Sequence, residues 1–180
     1  GTELAALAPG DSVVLAMPAA NLVQILTEIP APLETRAIVN AHFRLDHAVQ
    51  LPGNNRLLGI IGGTAQWLFA RDDIASVTVS AADKLAEIDA AEIAERLWRD
   101  VAIALGKPPS APPPVRIVKE KRATFAQIPA ALAKRAQPRT DYENLFLAGD
   151  WTATGLPATI EGAVLSGQRA ATLALANARR

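Results

Sequence analysis

The sequence predicts an α/β (α+β) fold, with pieces of a parallel α/β unit at both ends of the chain and a mixed, mostly antiparallel sheet-and-helix region between them. Three observations carry this expectation. Short apolar runs that lead directly into helical patterns stand near each end, SVVLAM from Ser12 and NLFLA from Asn144. The stretch from Ile38 to Leu51 alternates apolar and polar residues with a period of two. An amphipathic helical pattern fills Asp89 to Leu105.

Taken in order, Ser12 to Met17 reads as a strand buried on both faces, halted by Pro18. Ala19 to Thr27, with Leu22, Val23, Ile25 and Leu26, reads as the helix that follows it, and the IPAP segment at residues 29–32 as a turn or linker. From Ile38, Val39, Ala41, Phe43, Leu45 and Val49 lie on one side of a strand, with Asn40, His42, Arg44 and Asp46 on the other. Pro52, Gly53, Asn54 and Asn55 make a turn, RLLGIIGG and AQWLFAR give further strands, and Ile74 to Ser80 another. Asp89, with Glu92 three residues on, resembles a capping box, Ile93, Leu97, Val101, Ala104 and Leu105 share the apolar face, and Gly106 stops the helix. The Pro-rich stretch from Pro108 to Pro114 is extended linker, and Val115 to Thr124 a strand. Asn144 to Ala148 is an apolar strand, and a helix runs from about Ala158 to Ala176, with Pro157 suited to its first turn because proline has no N–H to leave unpaired there.

With 180 residues, half of them apolar, the chain can bury a substantial core. Eighteen basic residues balance 18 acidic ones, so no overall field argues for nucleic acid or an anionic membrane as a partner. The absence of cysteine rules out disulfides, thiolate metal sites and a cysteine nucleophile. GTELAALAPG has no basic n-region with a long apolar core, and no run approaches the roughly 20 apolar residues that span a bilayer. A soluble cytoplasmic protein is expected.

The last strand–helix junction carries the chemistry. Gly149 and Asp150 follow an apolar strand, and the loop through Trp151, Gly155 and Pro157 enters a helix near Thr159 and Ile160. A glycine there admits a ligand to the backbone, a carboxylate accepts hydrogen bonds from hydroxyls, and a helix start offers free N–H groups and partial positive charge. The spacing is equally that of a plain turn with an N-cap. Neither reading is decided by the spacing alone.

The full string NLFLAGDWTATGLPATIEGAVLSGQRAA, Asn144 to Ala171, closely resembles the C-terminal FAD-binding segment shared by amine oxidases, protoporphyrinogen oxidases and carotenoid desaturases. More narrowly, GDWTATGLPATIEGA, QWLFAR at 66–71 and KEKRATF at 119–125 resemble the squalene-associated FAD-dependent desaturases, the hydroxysqualene dehydroxylases of hopanoid synthesis. The resemblance begins at DSVVLAMP and covers nearly the whole chain. It implies a two-domain flavoenzyme in which residues 1–32 and 129–180 belong to the FAD domain and 33–128 to a substrate-binding domain. It implies cofactor contacts at Gly149, Asp150, Trp151, Pro157, Thr159 and Ile160, with the amides at Thr159, Ile160 and Glu161 aimed at the flavin N1–C2=O edge. A helix dipole there would raise the electron affinity of the flavin. An apolar isoprenoid is the implied substrate, lined by Trp67, Phe69 and Phe125, which serve equally well as core packing. The implied enzyme is cytoplasmic and touches the membrane only peripherally.

One departure from the family pattern stands out. These flavoproteins hold the ADP half of FAD on a βαβ unit with G-x-G-x-x-G, and the sequence contains none. GIIGG at 59–63 has the wrong spacing and lies among strands, as a bend or bulge would. The chain therefore reads as a C-terminal fragment, inactive alone, of an FAD oxidoreductase acting on a polyisoprenoid. The alternatives are a fragment of an amine or porphyrinogen oxidase, or a non-catalytic binding or assembly module. No catalytic residue is assigned. His42, Asp46 and His47 read as surface and edge residues rather than a metal site, and Lys119 to Arg122 as a solvated or interdomain strand.

Overall fold

The computed structural model describes residues 6–8, 10–108 and 110–178. Its elements, in chain order, are β1 (Val13–Ala16), α1 (Ala19–Leu22), β2 (Thr35–Arg44), a 3-10 turn (Pro52–Asn54), β3 (Leu57–Gly59), β4 (Trp67–Arg71), β5 (Ile74–Ser80), α2 (Asp83–Glu87), α3 (Ala90–Ala104), β6 (Val115–Phe125), α4 (Pro129–Leu132), β7 (Leu145–Ala148) and α5 (Ile160–Asn177). The chain divides into two compact units, one made of residues up to Glu34 together with those from Phe125, the other of Thr35–Thr124.

In the first unit β1 and β7 pair in parallel, Val13 opposite Leu145 through Ala16 opposite Ala148. β7 is buried on both faces. Phe146 and Ala148 pack toward Ala170 of α5, while Leu147 packs with Leu22, Phe125 and Trp151. β1 is not buried on both faces as its composition predicts: its residues alternate between half-buried and exposed, and Val14 is 39% exposed. The physical reason is what covers it: the packed clusters of this unit close over Phe146, Leu147 and Ala148 of β7, while Val14 and Ala16 of β1 stay exposed. The helix expected over Ala19–Thr27 is one turn only, without a side-chain cap; Leu22 is fully buried but Ile25 is 62% exposed, so no continuous apolar face sustains a longer one.

In the second unit the strands are ordered β3-β4-β5-β2-β6. The pairs β3–β4, β4–β5 and β5–β2 are antiparallel, with Val39 opposite Val79, Ala41 opposite Val77 and Phe43 opposite Ala75. These residues and Leu68 form one face of the sheet, buried in one cluster with Ile93, Leu97, Trp98 and Val101 of α3. Phe43 and Trp98 meet as tilted rings 5.3 Å apart. The predicted alternation holds in phase, but β2 runs from Thr35 to Arg44 rather than to Leu51, because its partner β5 begins at Ile74, opposite Arg44. Beyond it, Leu45 and Val49 donate their N–H groups to Asp73 and Asp72 in the β4–β5 turn.

α3 forms as the sequence predicts. Asp89 caps it by accepting from the Ala91 N–H at 2.7 Å. The reciprocal half of the expected capping box is replaced by a Glu92–Arg96 pair one turn apart. At its other end the Gly106 N–H bonds Ile103 O and the Lys107 N–H bonds Ala102 O, the paired bonds of a Schellman stop. The sequence reading missed α2, a five-residue helix whose Asp83 accepts from the Ala37 N–H of β2.

Candidate functional site

Four residues of β7 deliver the chain to Gly149 and the loop that follows. Gly149 has φ +140, a conformation that side chains other than glycine rarely adopt. A Cβ there would lie 2.7 Å from Trp151 Nε1 and 3.5 Å from Met17 O. The space at this glycine is therefore filled by the protein's own indole. Trp151 is 2% exposed, packs among Leu22, Phe125 and Leu147, and donates from Nε1 to Met17 O at 2.9 Å. Its side chain is spent on the core.

Asp150 stands between them, half-buried, and its carboxylate has no hydrogen-bond partner among the described residues. Its free oxygens distinguish it from a cap or turn aspartate, which would bond a nearby backbone N–H. The helix cap is Thr159, whose Oγ1 accepts from the Gly162 N–H at 3.1 Å. Helix α5 accordingly begins at Ile160, and Pro157 lies two residues before the cap, not in the first helical turn. Pro157 still shapes the entry, because its carbonyl oxygen would be 2.7 Å from a Cβ at residue 162, so only glycine fits there.

The N–H groups of Ile160 and Glu161 have no acceptor among the described residues, and Ile160 is 87% exposed. These two amides carry the positive end of an 18-residue helix into an open position. Exposed Gly155, φ +84, has nothing within 4 Å of where a Cβ would be. The loop and helix start thus offer two unspent donors, one unspent carboxylate and no bulky side chain at Gly155. That donor set suits a ligand bearing both hydroxyls and an electron-rich ring edge, and the residues present fit the isoalloxazine and ribityl portions of a flavin.

Three residues that the sequence reading passed over hold this loop in shape. Ser166 of α5, 1% exposed, accepts from the Gly149 N–H at 3.0 Å and lies 2.7 Å from Thr152 Oγ1, which also donates to Gly149 O at 2.9 Å. Ser166 sits between Gly162 and Ala170 at a spacing of four, a buried small-residue stripe readable from the sequence. Arg135 donates to four loop oxygens, described below, and no local sequence pattern marks it.

The proposed substrate-lining residues are divided between the two units. Trp67 and Phe69 stand side by side on the outer face of the second unit's sheet, 46% and 41% exposed, with Leu57 opposite Phe69 and Gly59 beneath the Trp67 ring. Farther along the same face the surface turns polar, with an Asn40–Thr78 hydrogen bond and a His42–Ser76 hydrogen bond. Phe125 belongs to the first unit, where it is 5% exposed and lies 5.2 Å from the Arg135 guanidinium. His47 lies beyond the end of β2, bonded to Asp46 and 3.2 Å from Lys107 Nζ. This contact with His47 holds the Asp46 carboxyl below its usual range. No cluster of metal-ligating side chains occurs among the described residues. Lys119 Nζ bonds Ile88 O within the second unit.

β7, paired in parallel with β1, runs into Gly149 and Asp150, and the loop that follows leads to an open helix start with free amides. The chain belongs to the flavin containing amine oxidoreductase family, which it matches over residues 1–175. It is 49% identical over 175 residues to a hydroxysqualene dehydroxylase of Sinorhizobium fredii, covering 97% of this chain and 41% of that protein. It is 46% identical over 179 residues to a hydroxysqualene dehydroxylase of Rhodopseudomonas palustris, covering 99% of this chain and 42% of that protein. The chain thus spans about two-fifths of the length of these relatives. Among solved structures, one assigned as a protoporphyrinogen oxidase from Exiguobacterium sp. 255-15 superposes with a TM-score of 0.64 at 16% identity, over 94% of this chain and 41% of that one, a likeness of fold.

Proposed function

We propose that this chain forms the ring-side wall of the flavin site, together with a substrate-covering sheet, in an FAD-dependent oxidoreductase that acts on a polyisoprenoid of the hydroxysqualene type. The observation that carries the reading is that one loop-and-helix segment holds both the unspent amides at Ile160 and Glu161 and an Asp150 carboxylate with no hydrogen-bond partner among the described residues. Both relatives described above are named for dehydroxylating hydroxysqualene. When bound, the flavin supplies two-electron chemistry, and replacing a C–OH by C–H with release of water consumes two electrons. The residues of this chain do the rest. The α5 amides favour negative charge at the ring edge, and Asp150 accepts hydrogen bonds from flavin hydroxyls. Gly149, Pro157 and Thr159 fix the loop and the helix start, and Trp151 anchors the loop from beneath. The apolar patch of Leu57, Trp67 and Phe69 offers one surface for an isoprenoid chain.

The test is anaerobic mixing of the reduced full-length flavoenzyme with hydroxysqualene. Reoxidation of the flavin with appearance of the deoxygenated hydrocarbon is the expected result. Reduction of the oxidised flavin by an amine or a porphyrinogen, with no response to hydroxysqualene, overturns the substrate assignment. No helix among the described residues is long and apolar enough to cross a membrane. We place the enzyme in the cytoplasm, reaching its apolar substrate by peripheral membrane contact and without a nucleic-acid partner.

Purified by itself, the 180-residue chain is expected to hold little FAD, because its donors meet the ring side and no G-x-G-x-x-G cradle for the pyrophosphate lies in the sequence. A yellow preparation with one flavin per chain would contradict this. The same preparation is expected to self-associate. The single-neighbour strand β1 and the exposed Leu57, Trp67 and Phe69 patch supply an edge and an apolar surface. Light scattering at increasing concentration checks it, and a constant monomer mass would remove the claim.

A further inference from the structure

The loop from Asp150 to Leu156 contains no helix or strand. It is held partly by its own donors, Trp151 Nε1 to Met17 O and Ala153 N–H to Ala136 O among them, and partly by donors that reach it from outside, of which Arg135 supplies more than any other residue. The Arg135 guanidinium donates from Nη2 to Asp150 O at 2.9 Å and Thr154 Oγ1 at 3.2 Å, from Nη1 to Leu156 O at 2.7 Å, and from Nε to Trp151 O at 3.3 Å. Both ends of the loop are thereby tied to one planar group. The group also lies over the Phe125 ring, with its central carbon 5.2 Å from the ring centroid. No carboxylate lies within ion-pair distance of Arg135 among the described residues, so the hydrogen-bonding capacity of the group goes to the loop and not to a salt bridge. Burial lowers the guanidinium's affinity for its proton and the nearby Asp150 charge raises it again. Arg169 reaches the loop once, at Ala153 O, 3.3 Å away.

We infer that Arg135 is the positioning residue of the flavin-facing loop: its fork fixes the backbone from Asp150 to Leu156 and so sets the approach to the α5 amides. The inference rests on the loop being part of a flavin site, as proposed above. A lysine keeps the charge but has neither the flat fork nor its fixed donor spacing, and it cannot satisfy four oxygens spread from residue 150 to residue 156.

Hydrogen exchange on the chain itself, in wild type, Arg135→Lys and Arg135→Met, reads the brace without any flavin. Amides of Thr152, Ala153 and Leu156 are expected to exchange on the order of tenfold faster or more in both variants, while amides of β7 and of the middle of α5 keep their protection. Unchanged loop exchange, or full rescue by lysine, overturns the inference. General loss of protection in β7 and α5 also overturns it, since Arg135 would then support the whole unit. The flavin dissociation rate of the full-length flavoenzyme is the second measurement, with an increase on the order of tenfold expected for Arg135→Lys. An unchanged rate while Asp150→Ala releases flavin overturns the inference alone. An unchanged rate in both variants overturns the flavin reading of the loop as well.

Discussion

Trp151→Ala is expected to cost the chain about 3–5 kcal/mol of folding stability, the usual penalty for removing a large aromatic side chain from a packed core. The indole is 2% exposed, is surrounded by Leu22, Phe125 and Leu147, and ties the loop to Met17 through its N–H. A domain's total stability is only about 5–15 kcal/mol, so the first unit should be largely lost at moderate urea. Trp151→Phe, which keeps most of the apolar volume and gives up the hydrogen bond, should cost about 1–3 kcal/mol by leaving the Met17 carbonyl without its partner. Urea unfolding followed by far-UV circular dichroism measures both. A loss under about 1 kcal/mol for the alanine variant would mean that the indole is dispensable to the core.

The neighbouring residue is expected to behave in the opposite way. Asp150→Ala should leave the urea midpoint nearly unchanged, because the half-buried carboxylate makes no hydrogen bond among the described residues. In the full-length flavoenzyme it should weaken flavin retention by about tenfold or more, since a charge-assisted hydrogen bond to a bound ligand is worth about 1.5–3 kcal/mol. A turn or cap residue would show the reverse, losing about 0.5–2 kcal/mol of stability and no flavin affinity. Measuring FAD dissociation and the apoprotein urea midpoint on the one variant decides between the two. Unchanged affinity with a lowered midpoint would remove Asp150 from the site. Two adjacent residues of one motif are thus expected to separate, Trp151→Ala in stability and Asp150→Ala in flavin retention.

Much of the architecture follows from local pattern. Period-two alternation at Val39, Ala41 and Phe43 placed these side chains on the buried face of β2, because a strand cannot turn them elsewhere without shifting its register. Asp89 and Gly106 mark the ends of α3 through bonds that stay within a few residues, a side-chain cap at one end and a Schellman stop at the other. The string from Asn144 to Ala171 carries the family resemblance, and the family match over residues 1–175 includes it. What depended on neighbours distant in sequence was not legible. The apolar run of β1 looks the same whether a strand has one neighbour or two, and only the sheet order makes it an edge. Gly149 suggests room for a ligand until packing against Leu22 and a bond to Met17 O, both far back in the chain, hold the Trp151 indole in that space. Phe125 was grouped with Trp67 and Phe69 by chemistry, yet it belongs to a different unit, with its ring against Arg135. Arg135 itself is invisible along the chain, for its four acceptors lie 15 to 21 residues away and are mostly backbone carbonyls, which every residue carries. Sequence thus determined most of the strands, the long helices α3 and α5 and the family resemblance, while the short α2 and the ends of α1 and β2 waited on the fold. Tertiary structure decided which side chains of the motif are consumed by packing and which remain free, because burial and hydrogen-bond partners are properties of the assembled surfaces and not of the local chain.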